Sequence, residues 1–341
     1  MRSFLIRAFL IVLVPASVLA SGLASGLALI LAQDAQRAAR AQEILKQARA
    51  ALGGEANLKA IRSLSASGKF HGALGGRAME GDLNLDLLLP DNYMRTIKMS
   101  MGPAKITRIE AVNGEQVWMD MKRGAGIGGI LGGLGGGMGG GGMGGPGGGG
   151  RGGGMGIPGG GMGGPGGGGR GGGGRGGDGQ MGGMQEMNSP AMREQVRADF
   201  TRLLVAWLLT SPASAQIEFS YEQERETRDG KADALRVTGA NDFTMLLYVD
   251  QQTHRPVMLA YRALMPRRAA GPRGAEEPSG NPREPELVDV QVYLSDYKAA
   301  SKVFLPHRVV KTSNGQTAEE WEISKYKLNP DLKPKKFEQK S

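Results

Sequence analysis

Cysteine is absent from all 341 residues, and that gap removes several functional classes at once. No disulfide can form, no thiolate can hold a metal or attack a substrate, and no N-terminal Cys is present to carry a lipid. Histidine is nearly absent: only His71, His254 and His307 occur, none with a partner at a ligand spacing such as H-E-x-x-H. No set of acid, base and nucleophile converges in the sequence, so it points to a non-enzymatic protein without catalytic residues, metal or cofactor. Ser295-Asp296-Tyr297-Lys298 fits S-x-x-K, and Lys311-Thr312-Ser313 resembles K-T-G. In the serine enzymes that use those motifs the Ser opens a helix, whereas here both lie on or beside strands, so the match is a coincidence.

What is present in excess is glycine. About two residues in three between Gly124 and Gly183 are Gly, with scattered Met and few aliphatics. Such a segment cannot bury enough surface to offset the entropy of ordering it, so 124–184 reads as a disordered loop. Arg151, Arg170 and Arg175 within it resemble RGG segments, but they lack interleaved aromatics and follow an export signal, which argues against nucleic acid. Met181, Met184 and Met187 repeat every third residue and read as incidental thioethers in a flexible tract. The formal charge of +9, which falls by two if Arg2 and Arg7 are removed, aids solubility and suits transient contact with an anionic membrane surface.

Those two arginines begin a basic start, and Ala8 to Ala32 carries no charge. This is the layout of a secretory signal, with small residues suited to cleavage after Ala20 or Ala32; retained, the run is long enough to anchor the chain in a bilayer. Residues 1–32 are therefore expected to be a signal peptide or an N-terminal anchor, and the remainder periplasmic.

From Asp34 to Leu52 the stripe Ile44, Leu45, Ala48 and Leu52 predicts a helix stopped by Gly53-Gly54. A period of two follows. Leu83, Leu85, Leu87 and Leu89 alternate with Asn84 and Asp86, and Pro90-Asp91-Asn92 turns the chain into Tyr93 to Met101. Gly102-Pro103 leads into Ile106 to Val112, and Asn113-Gly114, both tolerant of positive φ, leads to Val117, Met119 and Met121. About five antiparallel strands result. Beyond the glycines, Ser189 and Pro190 begin a helix over 190–209, with Val196, Phe200, Leu203, Leu204, Trp207 and Leu208 on one face and Pro212 as its stop. About seven strands follow from Ile217 to Tyr326, interrupted by a Pro/Arg-rich loop over 265–286, with a bulge expected between Trp321/Ile323 and Tyr326/Leu328. Twelve short strands imply a sandwich or a barrel. Neither half has a second helix to cover its sheet, so residues 33–341 read as a single domain with the 190–209 helix packed on the concave face of the sheet.

In this order the motifs resemble the LolA-like family of periplasmic outer-membrane lipoprotein carriers. The strand ending at Pro90 and followed by Tyr93, the hairpin Asn113-Gly114-Glu115-Gln116-Val117-Trp118, the interrupting helix, Val249-Asp250 with Pro256, and Asn329-Pro330 with Phe337 all match its pattern. Ala51-Leu52-Gly53-Gly54 with Leu58 and Ile61 looks like a divergent branch of exported proteins. The family's Arg just before the strand-end Pro is here Leu89. The resemblance implies a mainly β fold with some α: an unclosed antiparallel β-barrel of about 11–12 strands with an N-terminal helix and a central lid helix over a hydrophobic cavity. It implies a monomeric lipid or lipoprotein carrier that takes up acyl chains, with burial worth about 0.8 kcal/mol per CH₂. The expected cavity residues are Leu83, Leu85, Leu87, Val117, Met119, Phe200, Leu204 and Trp207, and Trp207→Asp is expected to abolish lipid retention with the fold intact. The alternative is an envelope sensor or scaffold that binds a protein partner through the same fold, distinguished by a packed core with no cavity.

Overall fold

The computed structural model describes residues 17–74, 77–101, 104–123, 189–228, 230–265 and 286–339. The basic start, the glycine tract and the interior of the Pro/Arg-rich loop lie outside the described residues. No helix among those described is long and apolar enough to cross a membrane.

Helix α1 (Ser17–Ala51) is followed by a short α2 (Glu55–Lys59), then by β1 (Ser63–Leu74), β2 (Arg77–Leu88), β3 (Asn92–Met101), β4 (Ala104–Asn113) and β5 (Gln116–Arg123). Helix α3 (Pro190–Leu208) precedes β6 (Glu218–Thr227), β7 (Gly230–Thr238), β8 (Thr244–Asp250), β9 (Pro256–Met265), β10 (Glu286–Ala300), β11 (Val303–Ser313) and β12 (Gln316–Leu328). All twelve strands form one antiparallel sheet in the order β5-β4-β3-β2-β1-β12-β11-β10-β9-β8-β7-β6. Every neighbour is sequential except β1 with β12, where Leu64 opposes Leu328 and Phe70 opposes Trp321. The two halves are thus zipped along the first and last strands. The sheet is not closed, and its free edges, β5 and β6, flank the segment that carries α3.

The bulge in β12 is where the alternation places it. Ser67 pairs with Lys325 but Gly68 pairs with Ile323, leaving Ser324 as the extra residue, whose hydroxyl donates to the Ser67 carbonyl at 3.0 Å. The strands approach so closely there that a Cβ on Gly68 would collide with the Glu322 carbonyl and the Ile323 Cα. The two Asn-Gly hairpins differ. Asn314 and Gly315 both take positive φ between the paired Ser313 and Gln316, as a primed turn requires. In the first hairpin Asn113 is still paired, with Gln116, so the loop is Gly114-Glu115 and only Gly114 has positive φ. The Pro/Arg-rich loop is also shorter than its expected bounds, because Met265 and Glu286 pair with each other as strand ends.

The first helix begins well before Asp34, at Ser17, so the expected boundary at residue 32 falls inside it. Its buried stripe is Ala41, Ile44, Leu45 and Ala48, continued by Leu52 just past its end, and the stop is made by Gly53 and Gly54, both at positive φ. It packs beside β6, and the Leu52 carbonyl accepts from the Phe304 N–H at 2.9 Å, tying it to the start of β11.

Helix α3 is capped as its sequence indicates: the Ser189 hydroxyl accepts from the Met192 N–H at 3.3 Å, and Pro190 occupies the first turn. Its end differs. Leu209, in the left-handed conformation at φ 51°, closes it three residues before Pro212. The burial also differs from a one-sided stripe, because every residue from Phe200 to Leu208 is buried. The sheet curls around this half of the helix. Phe200 stacks on Tyr93 of β3, Trp207 meets Tyr326 of β12 edge-on, and contacts reach β4, β5 and β9. A helix buried all round belongs to a core, whereas the 190–199 half keeps an exposed face.

Candidate functional site

The inward row of β3 reads Tyr93, Arg95, Ile97, Met99, all buried, with a guanidinium in the middle of an apolar line. A buried charge persists only if paired and hydrogen-bonded, so its partners define the site. Arg95 Nε donates to Glu110 Oε2 of β4 at 2.8 Å, its Nη2 lies 2.6 Å from the same oxygen, and Nη1 donates to Glu319 of β12 at 3.2 Å. Arg108 pairs with the other oxygen of Glu110, and the Trp321 indole N–H donates to Glu319 at 3.3 Å. All three donor nitrogens of Arg95 are engaged.

A second charge group sits beside it, centred on Asp199 of α3. Arg202 Nη1 donates to this carboxylate at 2.8 Å, Lys311 Nζ of β11 stands 3.6 Å away, and the Tyr261 hydroxyl of β9 donates to it at 3.4 Å. The Arg202 guanidinium lies 3.7 Å over the Tyr261 ring and 5.4 Å from that of Phe243, and its buried Nε has no hydrogen-bond partner. Two cations therefore share one carboxylate.

Protonation follows from this geometry. Burial works to raise Asp199, but Lys311, Arg202 and Arg95 outweigh it and bring it down to about 2. Burial likewise opposes ionised Glu319, yet Arg95, Lys311 and Arg108 hold it below the usual carboxylate range. Burial disfavours the Lys311 ammonium, but Asp199 overrides it and holds Lys311 well above its ordinary value. A carboxyl whose pKa is lower in the folded chain stabilises the fold above its unfolded pKa and loses that contribution as pH falls through the folded value. Urea unfolding is therefore expected to show Asp199 supplying about 1–2 kcal/mol at neutral pH, lost between about pH 4 and pH 2, and removed by Asp199→Asn. An unchanged acid limb in that variant would contradict the assignment. Lys311 has the opposite sign, and its contribution is lost only above its ordinary alkaline range.

These charges border a cavity of about 60 Å³. Its remaining wall is apolar and includes Leu203, Ala206, Trp207, Leu259, Leu294 and Val309. That is room for a few waters, not for an acyl chain. On the outside, an open groove of about 1000 Å³ runs along the exposed half of α3, past Met192, Phe243 and Ala263 to the cross-strand pair Leu264 and Leu287. Those two leucines, 62% and 45% exposed, are the large apolar side chains most open to solvent among the described residues. Arg202 lines both the cavity and the groove and so stands at their junction.

The expected cavity residues Leu83, Leu85, Leu87, Val117, Met119, Phe200, Leu204 and Trp207 are all buried in one continuous core, so the inward faces assigned to β2, β5 and α3 are the observed ones. Only Trp207 borders the void; the others are packed against one another. Arg95, Glu110, Asp199, Arg202, Lys311 and Glu319 were not anticipated. The available signal was a charge interrupting a period-two apolar row, as in Tyr93-x-Arg95-x-Ile97 and Val309-x-Lys311. The histidines lie apart: His71 on β1 near Glu80, His254 in the β8–β9 turn, and His307 on β11 with Nδ1 2.6 Å from the Ile323 carbonyl. Ser295 to Lys298 lies on β10, where Lys298 pairs with Asp296.

No protein-family model and no curated protein matches the sequence. Among solved structures the chain is similar to an outer membrane lipoprotein-sorting protein domain from Vibrio parahaemolyticus (9% identity, TM-score 0.43, covering 88% of this chain and 97% of that one). It is also similar to a LolA superfamily protein from Nitrosomonas europaea (11%, 0.40, 88% and 97%) and to a DUF1329 family protein from Desulfovibrio piger (7%, 0.41, 87% and 97%).

Proposed function

We propose that this protein is a non-enzymatic periplasmic carrier that takes up the acyl chain of a lipid or lipoprotein between α3 and the concave face of the sheet. The observation that carries this reading is the junction at Arg202, where a groove large enough for a ligand, with Met192, Phe243, Leu264 and Leu287 among its mixed lining, meets a void beneath the same helix. Among the described residues the void beneath the buried half of α3 is too small for a chain, so the chain is seated in the groove, which widens as the exposed half of α3 lifts. That half is held at its edge by Arg197, which donates to the Glu115 carboxylate at 2.9 Å and to the Glu115 carbonyl at 2.8 Å. The carboxylate is largely exposed, and such a pair is worth no more than about 1 kcal/mol. The buried half from Phe200 to Leu208 stays in place as the pivot.

The small internal void is also what a sensor or scaffold binding an envelope protein would have, with the Leu264–Leu287 rim as its contact. Native mass spectrometry of the exported protein, purified without detergent, separates the two. The carrier is expected to retain acyl-chain species at a defined stoichiometry. A clean unliganded mass together with a specific cross-linked envelope partner would replace it with the scaffold.

A further inference from the structure

We infer that the Asp199 cluster is a headgroup site: it binds the carboxylate of a long-chain fatty acid, with the acid end buried at Arg202 and Lys311 and the chain running outward along the groove. This rests on the acyl-chain reading and names the chemistry of the cargo and its orientation. The geometry already shows the recognition once, within the chain, because Arg202, Lys311 and the Tyr261 hydroxyl converge on one carboxylate, that of Asp199.

The cluster has capacity for a second carboxylate. In the neighbouring group Arg95 spends all its donor nitrogens on Glu110 and Glu319. In this group Arg202 and Lys311 flank Asp199, Lys311 stands 3.6 Å from that carboxylate while also hydrogen-bonding the Tyr261 hydroxyl and lying within the field of Glu319, and the Arg202 Nε is unpartnered. The guanidinium carbon lies 3.7 Å from the Tyr261 ring centroid, and with Nη1 donating to Asp199 the unpartnered Nε leaves donor capacity of the kind that recognises a carboxylate. The space favours a carboxylate over a bulkier phosphodiester headgroup, since the void beside these side chains is only about 60 Å³. Placement follows from Arg202 belonging to both spaces: an acid held there has its chain in the groove, against Met192, Phe243, Leu264 and Leu287. A charged head buried in the core with an apolar tail toward solvent is favourable only because cations wait at the inner end and leucines line the outer one.

The test compares a long-chain fatty acid with the alcohol of the same chain length, by calorimetric titration of delipidated protein. The acid is expected to bind at least about tenfold more tightly, the ratio that one charge-assisted hydrogen bond provides. Lys311→Met should bring the ratio of acid to alcohol affinity to near unity, and Arg202→Gln should do the same, each read in protein whose melting transition is retained. Phe243→Asp, in the groove, should weaken both ligands. Acid and alcohol binding equally well would overturn the headgroup site and leave the carrier standing, whereas no binding of either would overturn both. Acetate alone is expected to leave the melting temperature unchanged; an acetate response equal to that of the fatty acid would make the site one for free small anions and overturn the lipid assignment.

Discussion

Urea unfolding of an Arg95→Met variant is expected to show a loss of about 3–5 kcal/mol, the cost of breaking a buried ion pair from one side. Arg95 is 7% exposed and Glu110 is 4% exposed. Methionine fills the space of the aliphatic stem but withdraws every donor that Glu110 and Glu319 receive from this side chain, together with the guanidinium 5.4 Å over the Trp321 ring. Glu110 retains Arg108 and Glu319 retains the Trp321 N–H, so the effect falls short of isolating two bare carboxylates. Replacing Glu110 and Glu319 with leucine and methionine in the same variant should recover most of the loss, because apolar residues of similar volume often match a buried ionic network in stability. A loss below about 1 kcal/mol in Arg95→Met would mean that water screens the cluster as it screens a surface pair.

Trp207→Ala is the other large effect, at about 3–5 kcal/mol. Trp207 is 2% exposed, meets Tyr326 edge-on with centroids 5.6 Å apart, and lies on the all-round buried part of α3. The surrounding sheet is one continuous structure and cannot collapse into the space, so the cost belongs near the top of the range for aromatic deletions. Trp207 also forms part of the cavity wall, so its removal enlarges the void toward a size that binds small apolar ligands. The expected result is therefore a less stable protein that takes up an apolar probe such as benzene, recovering part of the lost melting temperature. A drop in melting temperature with no recovery would mean that the core closes over the gap. Asp at this position is not the clean probe of lipid retention that a lid residue would offer, because it places an unpaired charge in the core and unfolds the chain along with the site.

Much of the architecture follows from local patterning. Leu83, Leu85 and Leu87 face the core because a period of two on a strand leaves one face for burial, and a slip of one residue would expose them all. Ser189 and Pro190 begin α3 because a side-chain acceptor and a missing N–H suit a helix start wherever it lies. The bulge at Ser324 is visible as a phase change in the apolar row of β12, since an extra residue must invert the alternation beyond it. The position of one turn was less legible. Asn-Gly marks both hairpins, yet strand pairing extends through Asn113 in one and stops at Ser313 in the other, because register is set along the whole strand pair rather than by the turn dipeptide alone.

The candidate site was illegible for a different reason. Asp199 and Arg202 are neighbours on one helix turn, but Lys311 and Tyr261 reach them from β11 and β9, and Arg95, Glu110 and Glu319 come from three further strands. No spacing along the chain encodes that meeting. It arises from the pairing of β1 with β12, which brings the two halves together and sets residues such as Arg95 and Glu319, 224 positions apart, within hydrogen-bonding distance. By itself the sequence determined the strands, their inward faces, the start of α3 and the absence of cysteine chemistry, because each depends on nearest neighbours and on residue type. Only the tertiary structure decided that the sheet wraps the Phe200–Leu208 half of α3, that the apolar core holds a group of charges, and that the void beside them is small. Those outcomes depend on which strands meet across the sheet and on how completely side chains from distant segments fill the same space.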